Sequence, residues 1–250
     1  GNLFKKDRVG EDLIHAFLNA RGDDALWYAR LLKNLEVSDI DRLIVRNIAG
    51  PDTQTRIRLL EMLSDRAGPE TVNVLQQLLD PENPRLTVAV LKTLKRIAVG
   101  YTDVPDPGLK NFTHNPHPEV RGQAAGCLFM REPDATREII HAWLDAPASE
   151  HRHSGIIAAG ETEDPVFTSK LEEMLEQNAN KELAADILRA LAKVGRPGLN
   201  TLALPYLDHP EAGVRQAALE IIEIRDEALL KRANNHLGDS EETIVELAKD

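Results

Sequence analysis

Apolar residues recur along the chain at intervals of three and four positions. Clear examples are Leu13, Phe17 and Leu18; Val72, Leu75, Leu78 and Leu79; Ile139, Ile140, Trp143 and Leu144; and Leu171, Met174 and Leu175. This spacing places each set on one face of an α-helix, whereas the residues of a strand share a face at every second position. The sequence therefore predicts an all-α protein of short helices, each with one apolar stripe.

Segments that contain Pro, Asp and Gly separate these helical patterns. They include residues 49–52, 67–69, 80–84, 131–134 and 208–210. Proline fits the first turn of a helix, where no backbone N–H donor is needed, but it breaks a helix interior. We therefore expect each segment to end one helix and to begin the next.

The predicted helix starts repeat one another in sequence. Residues 118–125 read PEVRGQAA and residues 213–219 read GVRQAAL, so both place a Val-Arg pair ahead of small residues. The residues three after the Arg in these copies are 124 and 218, and weaker copies in the same register place the equivalent residue at positions 27, 59, 88, 155, 184 and 247. The intervals along the whole series are 29 to 36 residues. Two short helices and their turns need about this length. The spacing predicts seven to eight helical hairpins.

These residues resemble the HEAT repeat family, in particular its short bacterial form with D-x-x-P-E-V-R-x-x-A-x-x-A-L near the start of each first helix. The resemblance spans nearly the whole chain. It implies one solenoid over residues 1–250, wound as a right-handed α-α superhelix. It also implies that the second helices line a concave face that binds another macromolecule.

Small residues favour close stacking of such hairpins. A hairpin of about 30 residues cannot bury its apolar stripe alone, so it must pack on its neighbours. Short side chains on the first helices would let neighbouring helices approach closely. They are Ala124, Ala125, Gly126, Ala158, Ala159, Ala184, Ala185, Ala217 and Ala218.

Composition narrows the classes of partner. The chain carries 30 basic and 41 acidic side chains, a formal net charge of -11. This charge disfavours nucleic acid, because phosphate binding depends on Lys and Arg. The single cysteine cannot form an internal disulfide, and no apolar run approaches the roughly 20 residues of a membrane span. We expect a cytoplasmic protein that does not itself insert into a membrane.

The charge is distributed unevenly along the sequence. Residues 1–125 hold 17 basic and 17 acidic side chains, whereas residues 126–250 hold 13 and 24. An acidic second half would attract a partner with a basic surface. If second helices line the binding face, the candidate contact residues are Asn73, Gln76, Gln77, Glu138, His141, Glu172, Glu173 and Glu176.

The sequence contains no catalytic signature, so we expect no enzyme and no cofactor. Cys127 lies among small apolar residues, which is typical of a core thiol rather than a nucleophile. The recurring arginines are expected to bridge turns rather than to catalyse a reaction, with Asp and Asn of the turns as helix caps. The histidine pairs His114 and His117, and His151 and His153, are expected to be solvated, with metal binding as the open alternative.

The expected function is a non-catalytic scaffold that binds another protein, or another domain of the same parent chain. The sequence begins with Gly1 and ends in a segment that reads as a first helix, so we expect a fragment of a longer protein. Two alternatives stay open. One is a cytoplasmic regulatory region of a larger bacterial protein with a transporter-like membrane domain, and the other is an enzyme similar to the HEAT-containing bilin lyases.

Overall fold

A computed structural model describes residues 2–20, 23–34, 40–50, 52–63, 69–98, 108–177 and 182–222. Within these ranges the chain forms α-helices and short 3-10 turns, and it contains no strand. The predicted all-α fold is therefore confirmed.

The helices are short and follow one another closely in sequence. Within the described ranges they are α1 (Asn2–Asn19), α2 (Asp23–Asn34), α3 (Ile40–Asn47), α4 (Thr53–Met62), α5 (Pro69–Gln77), α6 (Pro84–Ala98), α7 (Leu109–Phe112), α8 (Pro118–Phe129), α9 (Pro133–Leu144), α10 (Ser149–Thr162), α11 (Thr168–Glu176), α12 (Ala184–Lys193), α13 (Leu199–Ala203) and α14 (Ala212–Ile221). The 3-10 turns Pro165–Phe167 and Leu204–Asp208 precede α11 and follow α13.

The predicted repeat register agrees with this helix order. Positions 27, 59, 88, 124, 155, 184 and 218 fall in α2, α4, α6, α8, α10, α12 and α14, which we call the first helices. The helices between them are the second helices of six hairpins, and α14 begins a seventh. Position 247 lies outside the described residues. The handedness of the superhelix stays a prediction.

Proline and polar side chains define the helix starts, as the sequence pattern predicts. The prolines at the first residue of α5, α6, α8 and α9 are Pro69, Pro84, Pro118 and Pro133. Asp52 caps α4, because its carboxylate accepts hydrogen bonds from the Thr55 backbone N at 3.1 Å and the Thr55 hydroxyl at 2.8 Å.

The cap of α6 is an Asn of the preceding turn, as expected. Oδ1 of Asn83 accepts from the backbone N of Leu86 at 3.2 Å. Asp80 instead accepts from the backbone N of Glu82 at 3.0 Å and closes the preceding turn. Asp80 is too far along the chain from α6 to reach its first free N–H groups, whereas Asn83 immediately precedes the helix.

The chain forms two compact units, Gly1–Val120 and Arg121–Asp250. In the N-terminal unit, α4 packs against the first helix α6, and α5 also packs against α6. One apolar core joins these elements to α1, α2 and α3. Its most buried members include Ile14, Phe17, Leu32, Ile44, Ile48, Leu59, Leu75, Val90 and Ile97.

In the C-terminal unit the first helices pack in sequence order, α10 on α12 and α12 on α14. The second helices α9 and α11 pack on the first helix that follows each of them. The core between them includes Ala125, Ile140, Leu144, Ile156, Ala158, Ala159, Phe167, Leu171, Ile187 and Leu191. Each hairpin therefore buries its stripe against its neighbours, as expected for stacked repeats.

Glycines on the first helices mark points of very close approach. A Cβ atom at Gly122 would lie 2.6 Å from the Cβ of Ile157 and 3.0 Å from the carbonyl oxygen of Ser154. A Cβ at Gly126 would lie 2.5 Å from the Cβ of Glu161. These distances are shorter than normal van der Waals contact, so the backbones approach each other only because no side chain intervenes.

We predict that Gly122→Ala destabilises the protein by about 1 to 3 kcal/mol, because the new methyl group overpacks the contact between α8 and α10. The matched control is Gly213→Ala, since a Cβ at this position on α14 meets no atom within 4 Å. The control should be neutral or stabilising by up to about 1 kcal/mol through helix propensity. Urea unfolding of both variants measures the difference, and equal midpoints would contradict the close-contact interpretation.

Candidate functional site

A surface groove of about 510 Å³ lies between α4 and α6 in the N-terminal unit. We call it the α4–α6 groove. Its lining comprises Ile57, Leu60 and Glu61 of α4; Arg85, Val88, Ala89, Lys92, Thr93 and Arg96 of α6; and Glu119 at the start of α8. The α6 residues recur at intervals of three and four, so one face of that helix borders the groove over about three turns.

The floor of the groove is apolar. Leu60 belongs to the core of the unit and is 1% exposed, whereas Ile57, Val88 and Ala89 are only partly buried. These three side chains present apolar surface at a position where the stacked helices leave space. A partner side chain entering the groove would remove that surface from water, which is favourable by about 25 cal/mol per Å².

The borders of the groove carry charge. Lys92 is exposed, and Arg85 is exposed and donates from Nη2 to Oε1 of Gln54 at 3.0 Å. Arg96 is partly buried, and it donates from Nη1 to the Leu63 carbonyl oxygen at 2.6 Å and from Nη2 to the Leu60 carbonyl oxygen at 3.2 Å. The first two side chains therefore face solvent at the groove, while the third closes the C-terminal end of α4.

The two helices of the groove are basic in a chain that is acidic as a whole. Together α4 and α6 contain one carboxylate, Glu61, and six basic side chains, which are Arg56, Arg58, Arg85, Lys92, Lys95 and Arg96. Sequence reasoning missed this site because it compared only the two halves of the chain. The signal that could have found it is α6 itself, which holds four basic residues and no acidic residue.

The candidate contact residues of the sequence analysis lie on second helices, as predicted. On α5, Asn73 and Gln77 are exposed and Gln76 is partly buried. On α9, Glu138 and His141 are exposed, and the His141 ring lies 5.1 Å from the ring of Phe167, centroid to centroid. Their relation to a concave face stays a prediction.

The carboxylates of α11 are partly neutralised within the unit. Glu172 pairs with Nε of Arg196 at 2.5 Å. Glu173 pairs with Nζ of Lys170 at 3.2 Å and accepts from Nε2 of Gln177 at 3.0 Å. The structure therefore leaves less free negative charge on this helix than the sequence suggests.

Glu176 is exposed at the end of α11 and influences one neighbouring side chain. Burial raises the pKa of the Tyr206 phenol, and the charge of Glu176 adds to this shift. Tyr206 packs among apolar residues between α12 and α14. This electrostatic influence of Glu176 on the following hairpin offers no ligand site by itself.

The recurring arginines bridge turns, as predicted. Arg152 donates from Nη1 to the carbonyl oxygens of Ala146 at 3.1 Å and Pro147 at 2.6 Å. Arg215 makes the equivalent contacts with the carbonyl oxygens of residues 209 and 210, at 2.9 and 2.8 Å. Both guanidinium groups thus hold the turn that precedes their own helix.

Arg121 also reaches the next hairpin. It is 6% exposed, and it donates from Nε to the Ser154 hydroxyl at 2.9 Å and from Nη2 to the Glu150 carbonyl oxygen at 3.0 Å. Burial lowers the pKa of this guanidinium, and the nearby charge of Glu150 opposes the shift. The side chain joins α8 to the start of α10.

A buried polar network crosses three first helices. Glu161 of α10 is 6% exposed, accepts from Nε2 of Gln123 on α8 at 3.1 Å, and pairs with Lys193 on α12. Gln123 is 4% exposed, and its Oε1 has no hydrogen-bond partner among the described residues. Gly126 gives Glu161 the space that it occupies.

The histidine pairs have separate local contacts. Nδ1 of His114 lies 3.1 Å from the Lys110 carbonyl oxygen, and Nε2 of His153 lies 3.1 Å from Oδ2 of Asp186. His117 and His151 are exposed. In the described part of the chain, no three or more His, Cys, Asp or Glu side chains form a group that could hold a metal ion. Cys127 is buried, as expected for a core thiol.

Comparison with known proteins supports the repeat assignment. The family model of HEAT repeats matches residues 105–192. This range contains α7 to α11 and most of α12, and it includes the first of the two clear sequence copies. No curated protein matches the chain. Among the described helices, none has both the length and the apolar character required to cross a bilayer.

The His153–Asp186 pair makes stability depend on pH. The hydrogen bond from His153 lowers the pKa of the Asp186 carboxyl, and the charges of His153 and Arg189 act in the same direction against partial burial. A carboxylate with a lowered folded-state pKa stabilises the fold above its unfolded-state pKa of about 4, and this contribution disappears as pH falls through the folded-state pKa.

We therefore predict that Asp186→Asn lowers the free energy of unfolding at about pH 6, by less than about 1 kcal/mol because both side chains are partly exposed. The loss should shrink steadily as the pH is lowered to about 3. Urea titrations across this range measure it, with Glu138→Gln on the exposed surface of α9 as the control. A loss that stays constant with pH would contradict this role of the carboxylate.

Proposed function

We propose that the chain is a non-catalytic scaffold that binds a protein through the α4–α6 groove. The match of residues 105–192 to the HEAT repeat family model supports this proposal, because such repeats generally serve as protein-interaction scaffolds. The partner is another protein or another domain of the same parent chain. The observation that supports this proposal most directly is the accessible apolar floor of the groove between charged borders.

The size and composition of the groove fit this role. Ligand sites commonly enclose about 300 to 1,000 Å³ and combine an apolar surface with a few polar groups that fix orientation. Here Ile57, Val88 and Ala89 supply the apolar surface, and Arg85 and Lys92 supply exposed charge beside it. Binding sites of proteins characteristically place an apolar centre within a polar rim.

The acidic surface of the second helices is a second candidate for contact with a partner. Glu138 and His141 on α9 and Glu176 on α11 are exposed and would attract a basic segment, as the charge of residues 126–250 suggests. Asn73, Gln76 and Gln77 on α5 would offer neutral hydrogen-bonding groups. We prefer the groove, because Glu172 and Glu173 already pair with Arg196 and Lys170.

The contacts of the ionisable residues support a scaffold rather than an enzyme. Arg121, Arg152 and Arg215 hold turns and helix starts, and Glu161 lies in a polar network between helices. These roles are structural, so the bilin-lyase-like alternative gains no reacting group from the described residues. A cytoplasmic location and a regulatory role within a larger bacterial protein stay predictions.

We predict that Ala89→Trp, which fills the groove, weakens partner binding at least about tenfold, equivalent to about 1.4 kcal/mol. Affinity capture from a bacterial extract, quantified by mass spectrometry, compares this variant with the wild type. The matched control is Ala192→Trp, an exposed position on α12 outside the groove. Circular dichroism and melting temperature verify folding, and Lys92→Trp is a second blocking variant at an exposed position.

The proposal requires a set of proteins that the wild type and the Ala192→Trp variant retain and that both groove variants lose. If all four proteins retain the same partners, the α4–α6 groove is not the contact surface. An Ala142→Trp variant on the exposed surface of α9 then tests the acidic second-helix surface in the same assay.

A further inference from the structure

We propose that the α4–α6 groove binds an acidic segment of its partner, in which an apolar side chain lies between two carboxylates. This inference rests on the proposed function, and it specifies the chemistry of the partner at the same site. It differs from the expectation of a basic partner, which follows from the charge of the second half of the chain.

The order of residues along α6 supplies the first argument. Arg85 lies three residues before Val88, and Lys92 lies four residues after it, so all three are on the same face of the helix. The two basic residues are therefore about 10 Å apart along the helix axis, one turn on either side of the apolar floor. Both are exposed.

This spacing defines a complementary partner segment. Two carboxylates about 10 Å apart on one face correspond to positions i and i+7 of a helix, with the intervening apolar residue at i+3 or i+4. A Leu, Ile, Val or Met between them would enter the space above Val88, Ala89 and Ile57. Because Arg85 and Lys92 are separated by apolar surface, both the carboxylates and the intervening side chain contribute to recognition.

The electrostatic charge around the groove supplies the second argument for an acidic partner. Helices α4 and α6 contain six basic residues against Glu61 alone, although the chain as a whole has a net charge of -11. In the groove lining itself, Arg85, Lys92 and Arg96 outnumber Glu61 and Glu119. This net positive charge would attract an acidic segment more than a basic one and would speed its association at low salt.

The lining favours a peptide over a nucleic acid. Glu61 and Glu119 border the groove and would repel a continuous phosphate backbone, but they can be accommodated by a segment with separated carboxylates. The groove lining, all of it within the described residues, contains no aromatic side chain on which bases could stack. A sugar-phosphate backbone also has no apolar side chain that could cover the apolar floor of the groove.

Selection from a random twelve-residue peptide library displayed on phage tests the inference. Peptides are selected on the wild-type chain and depleted on Ala89→Trp, with Lys92→Trp as a second depletion variant. The selected peptides are then synthesised, and their affinities for the wild type, Lys92→Glu and Arg42→Glu are measured by fluorescence anisotropy at low and high salt. Arg42 is exposed on α3 outside the groove, so its substitution produces the same change of charge as a matched control.

We expect groove-dependent peptides with two Asp or Glu residues seven positions apart and an apolar residue at the third or fourth position after the first of them. Lys92→Glu should weaken their binding at least about tenfold, whereas Arg42→Glu should change it less than about twofold. Binding should also weaken as salt rises.

Three other results would overturn the inference. Groove-dependent peptides that are neutral or basic, or that bind Lys92→Glu as tightly as the wild type, would refute the acidic partner but leave the groove as the binding site. Binding of a labelled twenty-nucleotide oligothymidine that Lys92→Glu abolishes would assign the basic surface to nucleic acid. If no selected peptide distinguishes the wild type from the two blocked variants, both the acidic partner and the proposed function are wrong.

Discussion

The close approach of successive first helices is the constraint on which the rest of this structure depends. Each hairpin has one apolar stripe and too little surface of its own to bury it, so neighbouring helices must come together. Gly122 and Gly126 of α8 occupy contacts with α10 where even a methyl group would overlap a neighbouring atom. Ala158 of α10 and Ala217 of α14 are fully buried. The close spacing of the first helices at these contacts follows from these small residues.

Much of the fold could be predicted from sequence because its determinants are local. A proline at residue 69, 84, 118 or 133 begins a helix wherever the rest of the chain lies, and the apolar spacing specifies the buried face. The α4–α6 groove could not be predicted in this way, since it depends on which exposed faces of two helices become neighbours. The ion pair of Glu172 with Arg196, 24 residues away, could not be predicted from sequence either, because a count of charged residues does not show which of them form pairs.

Charges in the C-terminal unit act mainly between neighbouring hairpins. Arg137 pairs with Asp164, Lys170 with Asp145, and Arg189 with Glu220, at separations close to one repeat. Individually such partly exposed pairs contribute little to stability, typically less than about 1 kcal/mol. The buried carboxylate of Glu161 differs, because a shift of α10 by one turn would remove it from Gln123 and Lys193 and leave a charge unpaired in the core. The apolar contacts hold the helices together, and this network selects one alignment of them.

Arg96 gives the α4–α6 groove a fixed shape before any partner arrives. Its guanidinium satisfies the carbonyl oxygens of Leu60 and Leu63 at the end of α4 while its side chain forms part of the groove lining. A movement of the end of α4 away from Arg96 would therefore break these two hydrogen bonds. A preorganised receptor pays little conformational entropy on association, so even a short ligand with few contacts can bind it measurably. The groove would therefore bind its ligand with little change of its own backbone conformation.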